Sequence, residues 1–212
     1  MTTAVPSKSL DTTARLALLQ AVAASTRVVG SEIDVSGKWY GLAYIHFART
    51  QTSAAAAGVT YRFEACPVTT GTLGSNTASQ WYVIGSYTTG IVAISDDVPS
   101  ASSGAALTVA SVTGFAAQDV CFVSVNAAAP TLANSEWFRV LSAASTTITA
   151  EENFKNTTIY SSGVVYDQAE IVTVPLDLSG VSRLRLVIDG LAHDKTFVTE
   201  VYLVSLDAVV ST

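Results

Sequence analysis

Charged residues are scarce in this sequence. Asp, Glu, Lys and Arg make up 13% of the 212 residues, against about 25% in a usual soluble protein. Ala, Ser, Thr, Val and Gly take their place. Charge normally keeps a free surface hydrated and neighbouring molecules apart. A chain so poor in charge is expected to spend much of its surface in contacts with other chains, which indicates an assembly protein.

Basic runs and apolar spans are missing as well. A net charge of −6 and the absence of any Lys or Arg run argue against binding to phosphate backbones, so we expect no nucleic-acid partner. Residues 1–11 lack the basic start and apolar core of a secretory signal. The apolar stretch 14–24 contains Arg15 and Gln20 and is too short to span a bilayer. We therefore expect synthesis in a cytoplasm, without a membrane anchor.

Residue types that perform catalysis or bind metals are few. His46 and His193 are the two histidines, and neither has metal-ligand spacing. The G-x-S-x-G motif and a glycine-rich phosphate loop are absent. Cys66 and Cys121 lack C-x-x-C spacing and fall in apolar stretches, which favours buried thiols and leaves a disulfide or ligand role as the alternative. No catalytic residue, no metal ligand and no cofactor is predicted.

Acidic groups near turns are the remaining candidates for chemistry, because a glycosidase needs only two carboxylates. Such groups are more often solvated, or hold a weak Ca²⁺ ion through neighbouring carbonyls. Solvated loops are the favoured interpretation, with calcium binding and catalysis as alternatives. The groups are Asp96-Asp97, Glu151-Glu152, and Asp167 with Glu170.

Short runs rich in Val, Ile, Thr, Tyr, Phe and Trp, separated by Gly, Ser, Asn and Asp, predict an all-β fold. The clearest strand covers residues 59–66, where apolar and polar residues alternate. Residues 39–47 are apolar on both faces, so this strand must be covered by a second sheet and by something else. Residues 181–188 and 197–206 predict two further strands, joined by a reversal.

A five-residue pattern occurs twice, as IDVSG at residues 33–37 and LDLSG at residues 176–180. In each copy Asp and Ser can bond turn amides, and Gly can adopt a strained dihedral. The pattern predicts a corner that carries the chain from one sheet of a sandwich to the other. Chance similarity over five residues is the alternative.

A Pro-, Ser- and Gly-rich stretch at residues 98–104 predicts a linker and a module boundary. Several short strands follow it, enough for a small barrel or a curled sheet. The predicted fold is therefore an antiparallel β-sandwich of jelly-roll type, built from residues 1–97 and 161–212. A small β-barrel-like module, residues 98–160, is inserted between its halves.

Three aromatic doublets are the best contact candidates, either as interface anchors or as a platform for sugars. Consecutive strand residues face opposite ways, so we expect each doublet to send one ring into the core and one outward. The predicted interface residues are Trp39, Tyr40, Tyr44, Trp81, Tyr82, Trp137 and Phe138.

Residues 176–188 and 104–150, the latter with VTGF at 112–115 and SEW at 135–137, are similar in style to small virion proteins of tailed bacteriophages. The resemblance implies a capsid decoration, or cement, protein that clamps major capsid subunits from the virion exterior, often as a homotrimer. A tail or neck component is the alternative within this class. A carbohydrate-binding jelly roll is an alternative of another class, and a carboxylate-pair glycosidase is the most distant one.

Overall fold

The structure of the protein is a computed structural model that describes residues 8–9, 15–49, 58–68, 80–89, 96–97, 99–125, 129–155, 160, 163–166, 169–191 and 197–207. Within these ranges the chain forms seventeen β-strands and no α-helix, which confirms the all-β prediction. The strands are β1 (Lys8–Ser9), β2 (Arg15–Val22), β3 (Arg27–Val29), β4 (Ile33–Asp34), β5 (Lys38–Arg49), β6 (Val59–Cys66), β7 (Tyr82–Thr88), β8 (Asp96–Asp97), β9 (Ala101–Ser103), β10 (Ala106–Thr108), β11 (Val120–Ser124), β12 (Ser135–Ala144), β13 (Thr147–Ala150), β14 (Val164–Tyr166), β15 (Ala169–Asp177), β16 (Arg183–Gly190) and β17 (Phe197–Asp207).

Two antiparallel sheets form a sandwich. In the first sheet β1 and β2 pair with β17, which is followed by β5 and β15; in the second, β3 and β4 pair with β16, which is followed by β6 and β7. Counting β1–β2 and β3–β4 each as one interrupted strand gives eight strands, ordered first-eighth-third-sixth and second-seventh-fourth-fifth. This is the strand order of a jelly roll, so the predicted sandwich is confirmed.

The main core lies between these two sheets. Every second residue of β6 from Val59 to Ala65 is fully buried, as the alternation of that strand predicts. The hydroxyl of buried Tyr61 donates to Thr199 Oγ1 (2.8 Å), which donates in turn to the backbone carbonyl of His46 (2.8 Å). The polar groups at this point of the core are therefore satisfied.

Seven strands from residues 96–166 form a third antiparallel sheet, in the order β8-β14-β11-β12-β13-β10-β9. The first half of β12 pairs with β11, and from Val140 onward β12 pairs with β13, with a bulge between Val140 and Ser142. Leu107, Val123 and Ile148 come from both halves of the sheet and share one core, so the sheet curls. Its end strands β8 and β9 do not pair with each other in the described ranges. The module is thus a curled open sheet and not the closed barrel-like form.

Part of the predicted linker is a strand. Residues 101–103, inside the stretch 98–104, form β9 and pair with β10 across a turn in which Gly104 has a φ of 58°. The linker prediction is wrong for these residues, because small Ala and Ser side chains beside a turn glycine also suit a hairpin. The predicted domain boundaries stay a prediction.

The third sheet interrupts the chain between β7 and β15, which are edge strands of the two sandwich sheets. An insertion there breaks no strand pairing of the sandwich. Phe122 and Tyr166 of the third sheet pack on the outer face of the first sheet, against Leu19, Ala48 and Val198. The end of β5 at Ala48 is therefore covered by the second sheet on one side and by the third sheet on the other. The prediction that residues 39–47 are covered on both faces is wrong for Tyr40, Leu42 and Tyr44, which stay at least partly exposed because the third sheet reaches only the end of the strand.

The two copies of the repeated pattern form the same turn. Asp34 Oδ1 accepts hydrogen bonds from the amide (2.9 Å) and the hydroxyl (2.6 Å) of Ser36. Asp177 Oδ1 accepts the same two bonds from Ser179, at 3.0 and 2.5 Å. The first turn leads from β4 to β5 and the second from β15 to β16, so each carries the chain from one sheet to the other, as predicted.

The two corners also lie against each other with local twofold pseudosymmetry. The amide of Val35 donates to the carbonyl of Ser182 (3.0 Å), and the amide of Leu178 donates to the carbonyl of Trp39 (3.0 Å). Val35 and Leu178 are both the third residue of their pattern. Trp39 and Ser182 each lie two residues after the final glycine of their pattern. The final glycines of the patterns both have positive φ, namely Gly37 (78°) and Gly180 (74°).

Candidate functional site

The two sandwich sheets have outer faces of different chemistry. On the second sheet, ion pairs gather around Glu64 and Asp189. Arg185 donates two hydrogen bonds to Glu64 Oε2 (2.9 and 2.8 Å), and Arg62 Nη2 lies 2.7 Å from Asp189 Oδ2. Arg27 lies 4.0 Å from Glu64 and 3.6 Å from Asp189. This face is charged, and its Arg side chains remain in contact with water.

The first sheet has an outer area of uncharged residues, next to the part that the third sheet covers and bordered by the exposed Asp177, which pairs with Tyr40. The strand register aligns Thr173, Tyr44 and Tyr202 in one row across β15, β5 and β17. Their side chains point outward because Ala43 and Ile45, on the opposite face of β5, lie in the core. The uncharged face, as we name it, consists of residues that are all at least partly exposed: Tyr40, Leu42, Tyr44, Ile171, Thr173, Pro175, Tyr202, Val204 and Leu206.

The seven predicted interface residues do not form one surface. Two of them, Tyr40 and Tyr44, belong to the uncharged face. The others lie elsewhere: Trp39 is the second residue of β5, Trp81 precedes β7, Tyr82 begins β7, and Trp137 and Phe138 lie in β12.

The expected division of each doublet between core and solvent is wrong for Trp39 and Tyr40. These rings are 62% and 42% exposed, because the pairing of β5 with β17 skips Trp39 and the regular alternation is lost there. Tyr82 is 46% exposed, and Trp81 is half-buried with the Arg185 guanidinium 4.2 Å from its ring centroid. That arrangement is a cation–π contact.

A cleft of about 520 Å³ opens where the third sheet meets the first sheet. Trp137 lines it from β12, while Glu200 and Tyr202 line it from β17. The Trp137 ring packs on Phe122, with centroids 4.5 Å apart, and meets His46 edge-on at 5.7 Å. These ring contacts fix the Trp137 side chain at the junction of the two sheets.

Carboxylates and cations share the walls of the cleft. Glu136 accepts hydrogen bonds from the Tyr160 hydroxyl (2.7 Å) and from the Lys155 amide (3.0 Å). Arg139 Nε lies 3.9 Å from Glu151 Oε2. The charged lining residues are Glu136, Arg139, Glu151, Glu152, Lys155 and Glu200.

Glu200 is the buried carboxylate of the cleft, at 2% exposure. Its Oε1 accepts a hydrogen bond from the Tyr202 hydroxyl (2.6 Å), and His46 Nδ1 lies 4.0 Å from the same oxygen. In the part of the chain that the structure describes, Glu200 Oε2, Trp137 Nε1 and His46 Nδ1 are buried without a hydrogen-bond partner. Burial lowers the pKa of His46 from its ordinary 6.5, against the opposing influence of the Glu200 charge.

Sequence reasoning did not single out Glu200, Arg139 or Tyr202. Glu200 did leave a signal, because it is a single carboxylate within the otherwise uncharged stretch 197–204. A charged residue at a buried strand position marks a functional candidate. Its approach to Trp137 depends on contact between two sheets, which local patterns do not contain.

Metal ligands are not gathered in the described ranges, where no three or more His, Cys, Asp or Glu side chains are grouped to hold an ion. Cys66 and Cys121 are buried and free, which confirms the thiol interpretation. Among the acidic candidates Glu151 and Glu152 are exposed, and Asp167 lies outside the described residues. No helix in the described ranges is long and apolar enough to cross a membrane.

Comparison with known proteins gives no match, whether to family models, to curated proteins or to solved structures. The role of the chain is therefore argued from the jelly roll, the uncharged face and the cleft.

Proposed function

We propose that the chain is a non-enzymatic structural protein of a bacteriophage virion. In this proposal it lies on the capsid exterior as a homotrimer, bridges major capsid subunits and stabilises the shell. The observation that carries the assembly role is the uncharged face, which contrasts with the network of ion pairs on the opposite side of the same sandwich. The virion role is supported by the sequence resemblance.

When the outer face of a sheet is exposed, each strand normally alternates apolar residues that face the core with polar residues that face water. On the first sheet the outward positions instead include Leu42, Val204 and Leu206, together with Ile171 at 48% exposure. Contiguous exposed apolar surface of this kind marks interaction sites in soluble proteins. The face is therefore a docking surface in this proposal.

The size of the face sets how much it can contribute. Three strands wide and six residues long, it measures about 14 Å by 20 Å, or roughly 300 Å². Burying that area gains about 7 kcal/mol, which lies within the ~4–15 kcal/mol that association costs. A stable interface buries about 800 Å² on each partner, so surface beside the face must take part as well.

We assign the face to the contact between copies of this chain. The same strands continue into an interface that the chain already makes within itself, since Ala48 and Val198 lie under the third sheet while Tyr44 and Tyr202 lie beyond it. A second copy that packs on the face extends this interface. The third sheet and the sandwich corners then remain available to the capsid subunits.

The oligomeric state tests this assignment. Size-exclusion chromatography with light scattering at micromolar concentration is expected to show a trimer. Ile171→Lys, which places a charge in the uncharged face, should yield monomers. Ser86→Lys, at an exposed position of β7 in the second sheet, is the matched control and should leave the trimer intact. A monomeric native protein, or equal effects of the two variants, would contradict the assignment.

The position in the particle needs a separate experiment. Cryo-electron microscopy of the virion that carries the chain is expected to show density for it on the outside of the capsid, bridging major capsid subunits. Density in the tail or neck would favour the alternative structural role. Absence from the purified particle would refute the virion proposal.

A further inference from the structure

We infer that the cleft between the third sheet and the first sheet binds a short, uncharged saccharide. This inference does not depend on the proposed assembly function. The cleft and the uncharged face share only Tyr202 among their lining residues. Either surface can therefore serve its role if the other does not.

The size of the cleft suits such a ligand. Its volume of about 520 Å³ falls within the range of roughly 300–1,000 Å³ that is typical of small-molecule sites. Its walls come from two separately formed sheets, with Trp137 and Phe138 on one side and Tyr202 on the other. A site at such a junction is held in shape by the contact of Phe122 with the first sheet.

The charges on the walls favour a neutral ligand. Four glutamates line the cleft, which disfavours an anion. Arg139 and Lys155 line it too and offset two of these four charges, with Arg139 beside Glu151, which weakens the attraction of the cleft for a cation. A ligand rich in hydroxyl groups can donate to carboxylates and accept from Arg and Lys without carrying charge itself.

The buried atoms at the junction require a group that both donates and accepts. Glu200 Oε2 can only accept a hydrogen bond when the carboxylate is ionised, and Trp137 Nε1 can only donate one. Both are buried without a partner in the described part of the chain, and a buried polar group without a partner destabilises the protein. A sugar hydroxyl can donate to the carboxylate and accept from the indole N–H, whereas an ammonium group can only donate to the carboxylate.

Aromatic rings supply the apolar half of the recognition. Trp137 and Tyr202 line the cleft and are each half-buried, while the neighbouring Phe138 ring packs on Phe154 in the core of the third sheet. Sites for small ligands combine such rings with a few placed polar groups. The C–H faces of a pyranose ring can pack against these rings while its hydroxyls meet the carboxylates.

Binding is measured with a defined set of probes, namely glucose, galactose, N-acetylglucosamine, lactose, cellobiose and chitobiose. The chain has three tryptophans, so the Trp39→Phe, Trp81→Phe double variant leaves Trp137 as a single fluorescent reporter. At least one probe is expected to change its emission saturably, with a Kd below about 10 mM.

Variants connect that signal to the cleft. Glu200→Gln, which keeps the shape of the side chain, and Trp137→Phe, which keeps an aromatic ring, should each weaken binding of the positive probe at least tenfold by saturation-transfer NMR. Glu32→Gln, in the segment before β4, is the matched control and should bind as the native protein does. Unchanged near-ultraviolet circular dichroism establishes that the variants are folded.

Three results would overturn the inference. One is that none of the six probes binds. Another is that spermidine, a polycation, binds in their place. The third is that Glu200→Gln and Glu32→Gln weaken sugar binding equally. The oligomeric state is measured on the same samples. A result that contradicts saccharide binding can therefore be distinguished from a result that contradicts the proposed trimer.

Discussion

Replacing Gly180 by alanine is expected to destabilise the protein through its backbone conformation alone. Gly180 has a φ of 74°, and a Cβ atom at this position would meet nothing within 4 Å. Steric overlap with other parts of the chain therefore adds nothing. What remains is the cost of holding an L-residue in the left-handed region, about 1–2 kcal/mol. Gly37, in the other copy of the pattern, has a φ of 78° and equally open surroundings, so the same cost is expected.

Urea unfolding followed by tryptophan fluorescence measures this cost. The midpoints of Gly37→Ala and Gly180→Ala should fall by similar amounts, while the slope of the transition stays unchanged. In thermal unfolding the loss corresponds to a Tm lower by about 2–4 °C per kcal/mol. Asparagine accepts positive φ more readily than alanine, so Gly180→Asn is the matched control and should retain most of the stability.

Three outcomes would contradict this reasoning. A loss well above about 3 kcal/mol for Gly180→Ala would mean that a contact, and not the dihedral angle, constrains the corner. Equal losses for alanine and asparagine would mean that the positive φ is not what selects glycine. A large difference between Gly37→Ala and Gly180→Ala would refute the equivalence of the two corners.

Two further predictions concern the contact between the third sheet and the sandwich. Phe122→Ala removes a fully buried ring and should lower the free energy of unfolding, measured in urea, by about 3–5 kcal/mol. Phe138→Ala is the control and should lower it by less, because the Phe138 side chain is only half-buried. Equal losses for the two variants would count against the packing described. Burial lowers the pKa of His46 below 6.5, so the unfolded chain binds its proton more readily and stability should fall as the pH drops from 7 to 5, by at most about 1.4 kcal/mol per pH unit. His46→Gln should reduce this loss of stability and His193→Gln should not, and urea midpoints measured at pH 7 and pH 5 would show the difference. If His46→Gln and the native protein have the same pH profile, His46 is not the group that makes stability depend on pH.

Local patterns were sufficient for the features that depend on neighbouring residues. The alternation in residues 59–66 predicted β6 with its buried face, and the repeated pattern predicted both corners down to the roles of Asp34, Ser36 and Gly37. A strand has two faces whatever it pairs with, and an Asp-x-Ser-Gly turn closes through its own atoms. These parts of the fold are therefore determined within a few residues.

Local patterns failed where a distant strand decides the outcome. The skipped pairing at Trp39 depends on the register of β17, so the doublet could not be divided correctly between core and solvent. The composition of residues 98–104 predicts a linker, but residues 101–103 form a strand because they pair with β10. Pairing with a remote strand thus overrides local composition at both places.

By itself the sequence determined that the chain is all-β, that it turns two similar corners, and that one strand of the first sheet is apolar on both faces. Only the tertiary structure decided what covers that strand, which outward residues stay uncharged and exposed, and that Glu200 meets Trp137 across a cleft. Alternation specifies the two sides of a strand, because side chains repeat every second residue. It does not specify the partner of each side, because pairing and packing join segments far apart in the chain.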